Sequence, residues 1–231
     1  MFTTALRNTA LRGLGLMLLL WLASGAQAQA SAPPHEVLNG ITDEMIETLR
    51  SEREAIREKP AHLFTVVEKV LVPHVEINVM SRFVLGQHWR NASDEQKERF
   101  AEEFKNMLVR FYVSALLDDP EQLDGLLAEG ASVIRFQSVN VADDTRTTRV
   151  RGEVNMPNGG PRVSVSFSMM RADTGAWLLY DVNVDGISLV ANYRNDFSSH
   201  INRQGLDGLI ERLEERNQRL LEEANAKTLT E

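Results

Sequence analysis

Between residues 41 and 115 the apolar positions recur every three or four residues; beyond about residue 130 they recur every second one. The first pattern predicts amphipathic helices and the second predicts half-buried strands. "SAPPHEVLNG" opens as an expected flexible segment, and Ile41, Met45, Leu49 and Ile56 then follow helical turns to Glu58, ahead of Pro60. "AHLFTVVEKVLVPHVEINVMSRFVLGQHW" reads as two shorter apolar helices hinged around Pro73, because proline disfavours helix in the residue before it. "NASDEQ" is a capping box, with Ser93 as N-cap and Gln96 at the third helical position, which explains the stretch better than glycosylation at Asn91. The long helix that follows carries Phe100, Phe104, Met107, Leu108, Phe111 and Ala115 on one face.

In the second half, "ASVIRFQSVNVAD" puts Ile134 and Phe136 on one side. "TTRVRGEVNM" alternates Val150, Gly152, Val154 and Met156 with Arg149, Arg151, Glu153 and Asn155. "PRVSVSFSMMR" sets Val163, Val165, Phe167 and Met169 opposite Ser164, Ser166 and Ser168, and "AWLLYDVNVDG" supplies a fourth strand. The short connections "NGG" and "ADTG" predict an antiparallel meander with one apolar face and one face of serine and charge. A final helix opens at Ser188 with Leu189, Tyr193, Phe197 and Ile201 at every fourth position, and an amphipathic tail follows Gly205. Helices, then a sheet of about four strands, then a C-terminal helix make the fold class α+β. No repeat or second-domain boundary is visible.

Residues 1–30 change the picture of where this chain works. Arg7 and Arg12 precede an uncharged apolar run from Leu14 to Ala23, and small residues follow at Ala26, Ala28 and Ala30. This is the anatomy of a secretory signal peptide, expected to span 1–28 and leave 29–231 as one domain. The remaining 23 basic residues (25 minus 2) face 33 acidic ones, so the exported chain carries a net charge near −10. That is a poor match for nucleic acid. With no cysteine there is no disulfide framework, and stability must come from a core.

Catalytic and metal chemistry is thin. His35, His62, His74, His88 and His200 have no neighbours at metal-ligand spacing, so no metal is expected. Gly159-Gly160 belongs to a turn, and no serine sits in a nucleophile-elbow pattern. One enzyme reading remains: a curved sheet closed by helices around an apolar substrate, with Asp181 as base and Tyr180 or Tyr193 as proton donor. If Tyr180, Val182 and Val184 face inward, however, Asp181 faces away from the substrate side. A third class is a chaperone clasping apolar peptides.

Two stretches carry more than a pattern. "LVPHVEINVMSRFVLGQHWRNASDEQKERFAEEFKNMLVRFY" and "WLLYDVNVDGISLVANYRNDF" resemble the MlaC family of soluble lipid carriers, also called the toluene-tolerance family. The matching residues are Pro73, Arg82, Leu85, Gly86, Trp89, Phe100, Phe104 and Tyr112, then Trp177, Asp181, Gly186, Ser188, Tyr193, Arg194 and Phe197. The resemblance covers about residues 35–215; it departs from the pattern at Glu76, where aspartate is expected. It implies a twisted sheet capped by helices, with a deep cavity that takes the acyl chains of a glycerophospholipid and no cofactor beyond that cargo. It implies a periplasmic monomer exchanging lipid between an outer-membrane lipoprotein–porin complex and an inner-membrane ABC transporter of the Mla system, which maintains outer-membrane lipid asymmetry.

On that resemblance, the residues expected to line the cavity are Phe83, Val84, Phe104, Leu108, Val150, Val154, Val165, Phe167, Met169, Val182, Tyr193 and Phe197. The alternative for each is ordinary core packing. Trp89 is expected as a packing anchor, Gly86 as a close-approach or helix-end position, Pro73 as a hinge, and Arg194 in a structural salt bridge, with headgroup contact as its alternative.

Overall fold

A computed structural model of the chain describes residues 32–155 and 160–226. The signal-peptide reading, Met156 and most of the "NGG" turn lie outside the described residues. The helical half comprises α1 (Pro34–Ser51), α2 (Arg53–Glu58), α3 (His62–Leu71), α4 (Ile77–Leu85), α5 (Asp94–Leu117) and α6 (Pro120–Glu129). Then come β1 (Ile134–Phe136), β2 (Thr147–Val154), β3 (Val163–Arg171), β4 (Trp177–Val184), β5 (Ile187–Ser188) and α7 (Leu189–Ala226). The α+β class stands, with five strands where about four were expected.

The start of the chain differs from its sequence reading. From Pro34 on, "SAPPHEVLNG" is not a flexible lead but the first turns of α1, with proline in its opening turn, where a missing N–H costs nothing. Leu38 is buried under the sheet, and His35 Nδ1 accepts the Val139 backbone N–H at 3.2 Å, which ties the helix start to the loop after β1. The expected helix to Glu58 breaks at Glu52, so α2 is a separate short turn.

The strands pair antiparallel in the order β1-β2-β3-β4-β5. Register places Val154, Gly152 and Val150 of β2 against Val163, Val165 and Phe167 of β3. The two-residue turn from β4 to β5 is Asp185-Gly186, both at positive φ, the hairpin geometry that matches strand twist. One irregularity reorganises β4. Ser168 pairs with Asp181 and Met169 with Leu179, so Tyr180 is an extra, unpaired residue. The bulge breaks the simple alternation expected for this strand. Leu179 joins Val182 and Val184 on the apolar side, while Tyr180 joins the helical cluster beside Phe83. Beyond β5 the edge of β4 is met by the residues after Pro73: Val75 bridges to Leu179, and the Glu76 N–H donates to the Leu179 carbonyl at 2.8 Å. Pro73 itself sits in a single 3-10 turn, Val72–His74, that swings the chain from α3 onto this edge.

Three hydrophobic clusters hold the molecule. One joins α1, α2, α3, α5 and α6 to the end of α7 through Leu49, Leu63, Phe64, Val113, Leu117 and Ala224. A second joins α4, α5 and α7 through Met80, Val84, Phe100, Phe104, Phe197 and Ile210. A third joins α1 to the sheet through Leu38, Val150, Met169 and Trp177. The apolar stripe of α5 therefore turns with distance along the helix. Phe100, Phe104 and Met107 face α7, but the stripe continues through Val113 and Leu117; Phe111 is 39 % exposed and Ala115 is exposed. The helix is long enough for its 3.6-residue period to bring two different faces into two different clusters.

Past Gly205, whose φ of 77° breaks α7 in two, the tail is a packed helix running alongside α5. Asn217, 1 % exposed, donates to the Glu103 carbonyl at 2.9 Å, and Arg99 pairs with Glu214 at 2.9 Å.

Candidate functional site

The three clusters do not merge, and the space where they fail to meet is a cavity of about 300 Å³. Val67 and Leu71 of α3 face it, with Val75, Met80, Leu108, Val109 and Tyr112 of the following helical segments. Leu179, Val182 and Val184 of β4 form the opposite wall, and Leu189 closes it at the start of α7. Apart from Lys105 and Tyr112, every lining residue is aliphatic. Val184 and Tyr112 are also well exposed, so the cavity reaches the surface beside them.

Of the wall residues expected from the sequence, the structure brings Leu108 and Val182 to this cavity. Phe104, Tyr193 and Phe197 form instead a mutually packed aromatic group with Phe100, at centroid distances of 5.4–6.1 Å. Val84 is buried in the same cluster. Val150 and Met169 are buried in the sheet cluster, and Phe167 packs its edge on Phe136 at 5.5 Å. Val165 is buried and Val154 half-buried, both on the apolar sheet face; Phe83 is exposed beside Tyr180. What sequence reasoning missed is α3. Leu63, Phe64, Val66 and Val70 make its buried stripe, and Val67 and Leu71 make a second, half-buried one. A helix with apolar residues on more than one core's worth of surface was the available signal.

The polar groups around the cavity serve its frame. Lys105 bonds Glu102 at 2.8 Å and Glu68 at 3.1 Å. Burial alone lowers its pKa, but the two carboxylates outweigh burial and leave it raised. Tyr112 lies beside Tyr193, whose hydroxyl pKa is pushed up to about 12, chiefly by burial. Asp181, the candidate base, is engaged by α7: Ser188 Oγ donates to it at 2.8 Å and the Val190 N–H at 3.1 Å. Ser188 Oγ in turn accepts the Ala191 N–H at 3.0 Å, so Ser188 caps the helix and Asp181 completes the cap. Asp181→Ala is expected to cost about 1–3 kcal/mol, a fall in Tm of several degrees, with bound-lipid content unchanged. A thermal melt beside lipid analysis reads both quantities.

Arg194 makes a different contact from the salt bridge expected of it. Its Nε donates to the Phe83 carbonyl at 2.6 Å at the end of α4. Its Cδ would lie 3.6 Å from a Cβ added at Gly86, whose φ of 54° ends that helix. Arg194 thus locks α7 to the C-terminus of α4, where cationic groups are favoured.

The match with known proteins decides the family. The sequence model described as MlaC protein matches residues 39–215. The chain belongs to the MlaC family. Among its relatives, the Toluene tolerance protein ttg2D of Pseudomonas putida is 29 % identical over 194 residues, 84 % of this chain and 84 % of that protein. The intermembrane phospholipid transport system binding protein MlaC of Haemophilus influenzae is 23 % identical over 189 residues, 81 % of this chain and 84 % of its own. A solved structure, the phospholipid-binding protein from Ralstonia solanacearum in complex with a phospholipid, superposes with a TM-score of 0.67. It is 25 % identical, and the alignment covers 82 % of this chain and 99 % of the other. This MlaC-family chain thus shares its fold with a relative captured holding a phospholipid.

Proposed function

We propose that this protein is a periplasmic carrier that takes the acyl chains of a glycerophospholipid into the apolar cavity and leaves the headgroup in water. It shuttles that lipid between an outer-membrane lipoprotein–porin complex and an inner-membrane ABC transporter of the Mla system, supports outer-membrane lipid asymmetry, and catalyses no reaction. Family membership and a lipid-bound relative support this reading. The observation that carries it is the cavity, about 300 Å³ and almost wholly aliphatic, at the junction of three cores.

An apolar surface of that extent, left open to water, is unfavourable, and an apolar cargo is what would cover it. The same physics sets the need for a carrier, since each exposed methylene costs about 0.8 kcal/mol in water. At roughly 30 Å³ per water-sized group the cavity has room for about ten, fewer than two acyl chains need, so a diacyl lipid enters by parting the walls. A lining with few hydrogen bonders favours exchange over selection of a headgroup, and leaves direction to the membrane partners.

The test is native mass spectrometry on protein purified without detergent, followed by lipid extraction of the same sample. A mass increment that resolves into diacyl phospholipid, near one per chain, is the expected result. A clean apo mass, with no uptake from labelled vesicles, would leave the cavity without its cargo and return attention to Asp181.

A further inference from the structure

A second pocket, of about 150 Å³, lies where the two halves of α7 meet α5. Its chemistry is the opposite of the cavity's. His200, 7 % exposed, lies in its wall together with the exposed residues Arg203, Arg212 and Arg216, the last with its guanidinium over the Phe111 ring at 5.2 Å. Among the described residues none of these three arginines forms an ion pair, in a chain whose net charge is −8. Asp196 is the single carboxylate in the lining.

The His200 ring fixes one of these guanidinium groups. Its Nδ1 lies 3.3 Å from an Arg212 Nη1. A guanidinium nitrogen only donates, so Nδ1 accepts and the ring hydrogen sits on Nε2. That Nε2 is buried and has no hydrogen-bond partner. A cluster of like charges is costly. One kind of ligand relieves it: an anion that offers several acceptor oxygens to N–H groups.

We propose that this pocket is an oxyanion site for a phosphate group, held by the guanidinium groups of Arg203, Arg212 and Arg216, with His200 Nδ1 positioning Arg212. The volume suits it, with room for about five water-sized groups, the number of heavy atoms in a phosphate. Tyr193 lines the pocket and lies beside Tyr112, which lines the apolar cavity, so the two sites are neighbours. The phosphate therefore has two sources: a free phosphate, or the phosphodiester of a lipid whose chains occupy the cavity, in which case the headgroup leaves the water for this pocket. The second source rests on the carrier reading and the first does not.

Phosphorus NMR on the exported chain separates these outcomes, comparing wild type, the double variant Arg203→Gln/Arg212→Gln, and Arg219→Gln, a control outside the pocket. Delipidated wild type should bind inorganic phosphate saturably, and the double variant should bind it at least about tenfold more weakly, with Arg219→Gln unchanged. In protein as purified, a lipid phosphorus resonance that moves to its free position only in the double variant, at equal lipid content, identifies the cargo as the source. A lipid resonance that stays put while phosphate binding falls assigns the site to free anion. Phosphate binding equal in wild type and double variant, or a response to neither probe, overturns the proposal. Protein that arrives without lipid yet shows the phosphate response counts against the carrier reading alone.

Discussion

Val182→Glu should leave the protein folded and exported but nearly empty of lipid. Val182 sits mid-wall on β4, paired with Phe167 on β3, with its side chain on the cavity. A carboxylate there either stays ionised and draws water in, or protonates and still occupies the path of a chain. If it and its water displace three or four methylenes, the loss is about 3 kcal/mol, roughly a hundredfold in affinity. Lipid phosphorus per protein chain is the measurement. Val184→Glu provides the graded comparison: Val184 lines the same cavity but is 43 % exposed, so its carboxylate remains hydrated and the loss should be several times smaller. Wild-type lipid content in Val182→Glu protein would show that the chains lie elsewhere.

Phe104→Ala should do the reverse, damaging the fold far more than the cargo. Phe104 is fully buried, stacked on Phe100 at 5.6 Å and edge-on to Tyr193 and Phe197 at 5.6 and 6.1 Å. Truncating so enclosed a ring costs about 3–5 kcal/mol, which in a chain of this size lowers Tm by roughly 10 °C. Were Phe104 a cavity wall instead, its removal would enlarge a space that lipid refills, and the loaded protein would lose little. Melting curves of loaded and delipidated Phe104→Ala protein separate the two: an equal drop in both places Phe104 in the core, and a drop confined to delipidated protein places it at the lipid.

These two residues mark how far the site was legible in the chain. Both were expected to face the cavity, and both stand in apolar patterns of equal clarity. Periodicity shows that a side chain points inward; it does not show whether another side chain or a void meets it there. Val182 and Phe104 differ only in what the rest of the fold places opposite them. The same reasoning covers Val67 and Leu71, which line the cavity because α3 carries one more apolar stripe than its core contact uses.

The sequence by itself determined most of the elements and their kind, though not the helical start at Pro34, the break at Glu52, α6 or β5. Ser93 and Gln96 form their reciprocal cap, with both bonds made across three residues. The strand alternation sets an apolar face against a polar one, and the turn at Asp185-Gly186 follows from residues that tolerate positive φ. The motifs were enough to indicate the family. All of these are local interactions, written into neighbouring residues. Tertiary structure alone decided the rest. The bulge at Tyr180 exchanged which β4 side chains see the apolar side, because a single unpaired residue reverses a period of two. Arg194 found the Phe83 carbonyl, 111 residues away, in place of a carboxylate, and the arginines of α7 gathered around His200 only because the helix breaks at Gly205. The cavity itself is a property of no segment, since it exists where three cores built from distant parts of the chain stop short of one another.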